Sequence, residues 1–242
     1  SSEVFGDDYG LYSANRDKWL MSADMSGDVT SADNIRKIDA RVHKIFPSGV
    51  MLYTSDAGID VSSNYNMQEE MTAQLNFGQA VCGIVTLAVG GALVVKQYTF
   101  CRQFSRSLII LLASLFDEMY VTKPLTSRTA NSEVYLIGKG FRGISAAFKQ
   151  KLLERIEEYE KIGRADSPCE YVSLVSLDEF GLQDGELYEA AAEIFTKQIE
   201  CLKFATKCLK VFAPSFTQLR EQLIDATQRA HKLWMISNPF SA

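Results

Sequence analysis

Short β-branched runs alternate with longer apolar stretches through the first 143 residues, and beyond residue 144 the apolar positions settle into a period near 3.6 among many charges. Strands are predicted over 50–54, 92–98, 119–122 and 133–139, the last antiparallel to its neighbours. Ile35, Ile38, Val42 and Ile45 line one face of a helix that Thr30 or Ser31 can cap. Asn66 and Glu69 have the spacing of a capping box for a long helix to about residue 88, which Gly90-Gly91 would end. A further helix is predicted over 104–116 and a short one over 14–21. Strand and helix in alternation predict an α/β fold with a mostly parallel sheet.

The remainder reads as an all-helical extension, dividing the chain into 1–143 and 144–242. One helix is predicted over 146–162, followed by a linker over 163–168. A long amphipathic helix is predicted over 182–212, with Leu187, Ala191, Ile194, Ile199, Leu202, Ala205 and Leu209 inward. Pro214 breaks it, Ser215 and Gln218 have the spacing of a second capping box, and a last helix runs to about residue 234. The expected role of these helices is packing on the sheet domain or on a partner chain.

Composition narrows the picture. With 47% hydrophobic residues among 242, the chain can bury a sizeable core. A net charge of −5 and a pI near 5.2 exclude coating of nucleic acid by bulk charge, so an RNA contact has to be local. Residues 121–151 offer such a patch: Lys123, Arg128, Lys139, Arg142, Lys149 and Lys151 against the single acid Glu133. A solvated basic face is the plainer account of it. The five cysteines form no Cys-x-x-Cys pair, and with only two histidines no metal site is expected. That cysteine usage points to a reducing, cytoplasmic compartment. Residues 71–95 carry no charge, but Gln74, Asn76, Gln79 and Gly90-Gly91 argue for a buried helix, a turn and a strand rather than a membrane span.

Three ionisable residues stand at the ends of the predicted strands. Asp56 follows the first, Lys96 lies near the carboxyl end of the second, and Glu133 opens the last, where an open α/β sheet presents its site groups. Singly, each reads as a loop cap, a snorkelling lysine or a surface glutamate. Their order and wording say more. Ser55-Asp56-Ala57, Val94-Val95-Lys96 and Ser127-Arg128 followed by Asn131-Ser132-Glu133-Val134-Tyr135 resemble the FtsJ-like ribose 2′-O-methyltransferases. The last wording, after Lys123-Pro124, is similar to the mRNA cap branch and to the FtsJ-like proteins of large cytoplasmic DNA viruses. The resemblance covers roughly residues 9 to 141.

That resemblance implies a Rossmann-like methyltransferase sheet, S-adenosyl-L-methionine as cofactor, and RNA, with the capped 5′ end of mRNA foremost, as substrate. It implies Asp56, Lys96 and Glu133 as catalytic residues and Asp28, Val29 and Asp56 as cofactor contacts. Asp28 also reads as a turn aspartate satisfying local amides. Lys123, Ser127, Arg128 and Asn131 would line the RNA side, although Ser127 and Asn131 can equally satisfy their turn. The family's glycine-rich cofactor loop and first lysine have no counterpart, since only Gly6 and Gly10 precede Ser26-Gly27-Asp28. The sheet is therefore expected to be incomplete on its N-terminal side and to be finished by an upstream segment or a partner chain. A non-catalytic subunit of a viral particle or capping complex is the alternative; a viral chain would be found in host cytoplasm and the virion.

Overall fold

The computed structural model describes residues 9–19, 26–61, 64–124, 127–128, 130–162, 184–212 and 216–237. Four strands, β1 (Val50–Ser55), β2 (Leu87–Gln97), β3 (Phe116–Thr122) and β4 (Val134–Phe141), form one sheet in the order β1-β2-β4-β3. β1 pairs parallel with β2, whereas β4 pairs antiparallel with both β2 and β3. β1, β2 and β3 thus share a direction and β4 alone is reversed, as predicted for it. Because β4 is inserted between β2 and β3, only one strand pair is parallel, and the sheet is mixed rather than mostly parallel in its hydrogen bonding. One consequence matters for function: the carboxyl ends of β1, β2 and β3 and the amino end of β4 lie along the same edge.

The helices are α1 (Leu11–Ala14), α2 (Ala32–Ile45), α3 (Gln68–Thr86), α4 (Gln103–Leu115), α5 (Ala146–Ile162), α6 (Asp184–Phe212) and α7 (Phe216–Ser237). In place of the predicted short helix at 14–21 the chain forms α1 and a 3-10 turn at Arg16–Lys18; residues 20 and 21 lie outside the described set. α3 is buried nearly all round, polar residues such as Asn76 and Gln79 included, between the sheet and α2, α4 and α5. Glycines let it lie so close. A Cβ at Gly83 would meet Leu93 Cδ1 at 2.5 Å and Tyr53 Cδ1 at 2.8 Å, and one at Gly78 would run into the Val29 carbonyl. Phe77, Phe104 and Tyr159 meet edge to face across α3, α4 and α5.

Several local expectations are corrected. Gly90-Gly91 lies inside β2 rather than before it: α3 ends at Thr86, β2 starts at Leu87, and Gly90 at φ 82° serves a register irregularity against β1. Asn66 and Glu69 make no capping box, because residues 65–67 form a 3-10 turn and the Glu69 carboxylate is drawn to another helix. Ser31 stands at the N-cap of α2 without a side-chain cap bond; the Ala32 amide donates instead to Glu160 Oε2 of α5 at 3.4 Å. Ser215 and the linker 163–168 lie outside the described residues.

The core does not stop at residue 143. Leu152, Leu153, Ile156 and Tyr159 of α5 are buried in the same cluster as the sheet and α3. Among the described residues, α6 joins that cluster at its first half, through Ala191, Ile194 and Phe195, the last ring tilted against Phe100 with centroids 5.6 Å apart. Ile199, Leu202 and Ala205, predicted inward, are open to solvent. A 29-residue helix is about 43 Å long, more than the sheet can cover.

Candidate active site

The shared sheet edge gathers the predicted trio. Lys96, the penultimate residue of β2, pairs in register with Tyr135 of β4, so the two side chains stand on one face. Asp56 leaves the end of β1 beside them. Lys96 Nζ lies 2.8 Å from Asp56 Oδ1 and donates to the Asp56 carbonyl at 3.1 Å. The Tyr135 hydroxyl is 3.0 Å from Glu133 Oε1 and 3.3 Å from Asp56 Oδ1, bridging the two carboxylates. Tyr98 approaches the ammonium from the following residues, its ring centroid 5.7 Å from Nζ. Gly58 closes the near side, where a Cβ would sit 3.4 Å from Nζ.

Charge at this cluster is unbalanced toward the negative. Burial would lower the Lys96 pKa, but the Asp56 hydrogen bond, Tyr98 and the Asp56 and Glu133 charges outweigh it, and the pKa is raised. Lys96 is thus an ammonium at neutral pH in this arrangement. Burial, then the hydrogen bond and charge of Glu133 and those of Asp56, push the Tyr135 phenol far above its ordinary range. Tyr135 therefore acts as a neutral hydrogen-bonding group. The wording around Glu133 contained it, but only the β2–β4 register gives it a role.

The remaining predicted residues divide. Lys123, which follows β3, is turned inward: its Nζ donates to the Asn131 side chain at 2.7 Å, the Glu133 carbonyl at 2.8 Å and the Asn131 carbonyl at 3.0 Å. It also reaches Ser127 Oγ at 3.5 Å, and Ser127 donates to Asn131 Oδ1 at 3.4 Å. Burial lowers the Lys123 pKa, and Glu133 opposes this. Lys123, Ser127 and Asn131 thus tie together the turn that leads to Glu133 instead of presenting themselves outward, while Arg128 is exposed. Asp28 heads its own turn, its Oδ1 accepting from the Thr30 amide at 2.9 Å and hydroxyl at 2.7 Å. Asn34 Nδ2 donates to the Asp28 carbonyl at 3.0 Å, and Gly78 of α3 backs Val29. Among the described residues no group of three or more His, Cys, Asp or Glu could hold a metal ion, and no helix is long and apolar enough to cross a membrane.

A lysine, two carboxylates and a tyrosine thus converge along the carboxyl ends of β1 and β2, where open α/β sheets hold their ligands. The family model described as FtsJ-like methyltransferase matches residues 2–141, and the chain belongs to that family. It is 36% identical over 248 residues to "Probable methyltransferase EP424R" of African swine fever virus, isolate Pig/Kenya/KEN-50/1950, covering 98% of this chain and 56% of that one. The chain thus spans little more than half the length of that relative. It is 34% identical over 121 residues to the cap-specific mRNA (nucleoside-2′-O-)-methyltransferase 2 of Drosophila melanogaster, over 50% of this chain and 17% of that one. A crystal structure of a ribosomal RNA methyltransferase from Plasmodium falciparum aligns over 52% of this chain and 63% of its own, at a TM-score of 0.38 and 23% identity.

Proposed function

We propose that this chain carries the catalytic residues of an S-adenosylmethionine-dependent RNA ribose 2′-O-methyltransferase whose substrate is the capped 5′ end of mRNA. The observation that carries this reading is the convergence of Lys96, Asp56, Glu133 and Tyr135 at one sheet edge. The similarity to cap-specific enzymes supports the choice of substrate. The donor set fits a cationic sulfonium, since Asp56 offers an exposed carboxylate at the end of a parallel strand, with Asp28 and Val29 as further contacts. When bound, the cofactor supplies a methyl group that the ribose 2′-oxygen takes while the neutral thioether leaves.

The chain's own residues then have to align the hydroxyl and receive its proton. Holding two reactants in line accounts for about 7–11 kcal/mol in well-oriented systems. Lys96 Nζ is the group placed to hydrogen-bond the hydroxyl, with Asp56 fixing it and Glu133, through Tyr135, fixing Asp56. To act as a base Lys96 must first be neutral, and its two carboxylate neighbours oppose that. A second cation held beside it would favour the neutral form. Of the four residues expected on the RNA side, Arg128 is an exposed cation available to RNA phosphate. Asp56 engages two of the three N–H groups of Lys96, which favours a non-catalytic subunit instead.

The test uses the full-length polypeptide with methyl-labelled cofactor and capped or uncapped RNA, locating the label by nuclease digestion and mass spectrometry. The expected outcome is label on a cap-proximal ribose and loss of turnover in Lys96→Ala. Unchanged turnover in that variant sinks the assignment, and equal use of uncapped RNA sinks the cap.

A further inference from the structure

The buried polar residues of α3 have partners that give them a purpose beyond the helix. Gln79 is fully buried, and its Oε1 accepts from Ser55 Oγ at 2.8 Å and from the Ala57 amide at 3.0 Å, the residues on either side of Asp56. Its Nε2 donates to Asn76 Oδ1 at 3.4 Å, Asn76 Nδ2 donates to Thr72 Oγ1 at 3.2 Å, and the Thr72 hydroxyl donates to the Gln68 carbonyl at 2.8 Å. At the far end Ser132, the residue before Glu133, donates from Oγ to Gln68 Oε1 at 2.9 Å. The spacing 68, 72, 76, 79 keeps these groups on one side of the helix. One row of polar groups, buried at Gln79, Asn76 and Thr72 and half-buried at Gln68 and Ser132, therefore joins the segment carrying Asp56 to the turn carrying Glu133.

Replacing both partners of a buried side-chain pair by apolar groups of the same shape can be nearly neutral for stability. What this row adds is position. We propose that Gln79 is a positioning residue that sets where Asp56 meets Lys96, and that Gln68 does the same for Glu133 through Ser132, so that α3 fixes both carboxylates around the lysine. The proposal rests on the methyltransferase reading for its catalytic meaning. Gln79 acts on Lys96 only through Asp56, by way of the Ser55 hydroxyl and the Ala57 amide.

The test compares Gln79→Met, which keeps the volume and removes the acceptor, with Gln79→Glu, which keeps an acceptor oxygen and removes the Nε2 donor, both in the full-length polypeptide. Three quantities are read: kcat for methyl transfer, KM for RNA, and the titration of Lys96 followed by NMR of 13Cε-labelled lysine, assigned with Lys96→Arg. A displacement of about 1 Å can cost about 100-fold in rate, so Gln79→Met is expected to lower kcat by about that factor while KM for RNA changes less than about twofold. Its Lys96 titration is expected at lower pH, because Asp56 no longer holds the ammonium. Gln79→Glu is expected to recover most of kcat despite being the less stable variant in thermal unfolding.

Activity that follows thermal stability rather than the acceptor oxygen overturns the proposal, and so does an unmoved Lys96 titration in Gln79→Met. Should Gln79→Met fail to fold, Ser55→Ala removes one of the two donors and is read the same way, a smaller downward move of Lys96 being expected and none overturning. If the unaltered protein transfers no methyl group, the proposed function fails. The Lys96 titration needs no cofactor and still decides the positioning role.

Discussion

At the scale of single residues, the Lys96–Asp56 contact has a consequence for stability as well as chemistry. A lysine whose folded pKa is raised contributes stability that is fully present below its unfolded value, about 10.4, and is lost as pH rises through the folded value. Thermal melts from pH 8 to 11.5 should therefore fall more steeply above about pH 10 for the unaltered protein than for Lys96→Met. Parallel curves would show that the ion pair adds nothing. Lys123 makes a second case. Its ammonium holds three oxygens of the 131–133 turn, so Lys123→Met should cost about 1.5–3 kcal/mol in urea unfolding. A loss of RNA affinity with no change in stability would instead return Lys123 to the RNA side. Asp56, Lys96 and Glu133 were legible in the sequence because the wording around each is local. The inward turn of Lys123 was not, since carbonyls have no letter in a sequence.

At the scale of elements, α3 organises the site by holding loops that are distant in sequence. Glu69, nearly buried, accepts from the Arg102 amide at 2.7 Å, the Thr99 hydroxyl at 2.8 Å and the Cys101 amide at 3.1 Å. Those groups open α4, so a carboxylate of one helix caps the next and meets the positive end of its dipole. Glu69→Gln keeps the size and removes the charge. It should lower stability by about 1–2 kcal/mol and speed amide exchange in the first turn of α4, which circular dichroism and hydrogen exchange would check. Undiminished protection there would mean that Glu69 is a passenger. Helix and strand positions were mostly legible because apolar period is a local signal; α5 starts and ends where its period predicts. The capping boxes were not. A Glu three residues after an Asn reads the same whether its carboxylate turns back to its own helix or reaches residues 99–102.

At the scale of the molecule, the described sheet is covered on one face and open along β1. Leu52 is 58% exposed and Met51 63%, and among the described residues no strand lies outside β1. Such an edge invites pairing with another strand. Leu52→Lys should reduce self-association of this chain in sedimentation velocity while leaving its melting temperature unchanged, and identical sedimentation would point away from this edge. The exposed second half of α6, with Ile199, Leu202 and Phe204, shows a similar excess of apolar surface. What the amino-acid order settled here is whatever depends on neighbours in the chain: most element types, the direction of β4, and the wording around Asp56, Lys96 and Glu133 on which the proposed site rests. What required the folded chain is whatever depends on groups far apart in sequence. The insertion of β4 between β2 and β3 puts Tyr135 beside Lys96, and Gln79 meets the Ala57 amide and the Ser55 hydroxyl, on either side of Asp56, across 22 and 24 residues. Gln79 and Asn76 read in the sequence only as arguments against a membrane helix. Their partners are a backbone amide, two hydroxyls and each other, and packing alone brings these together.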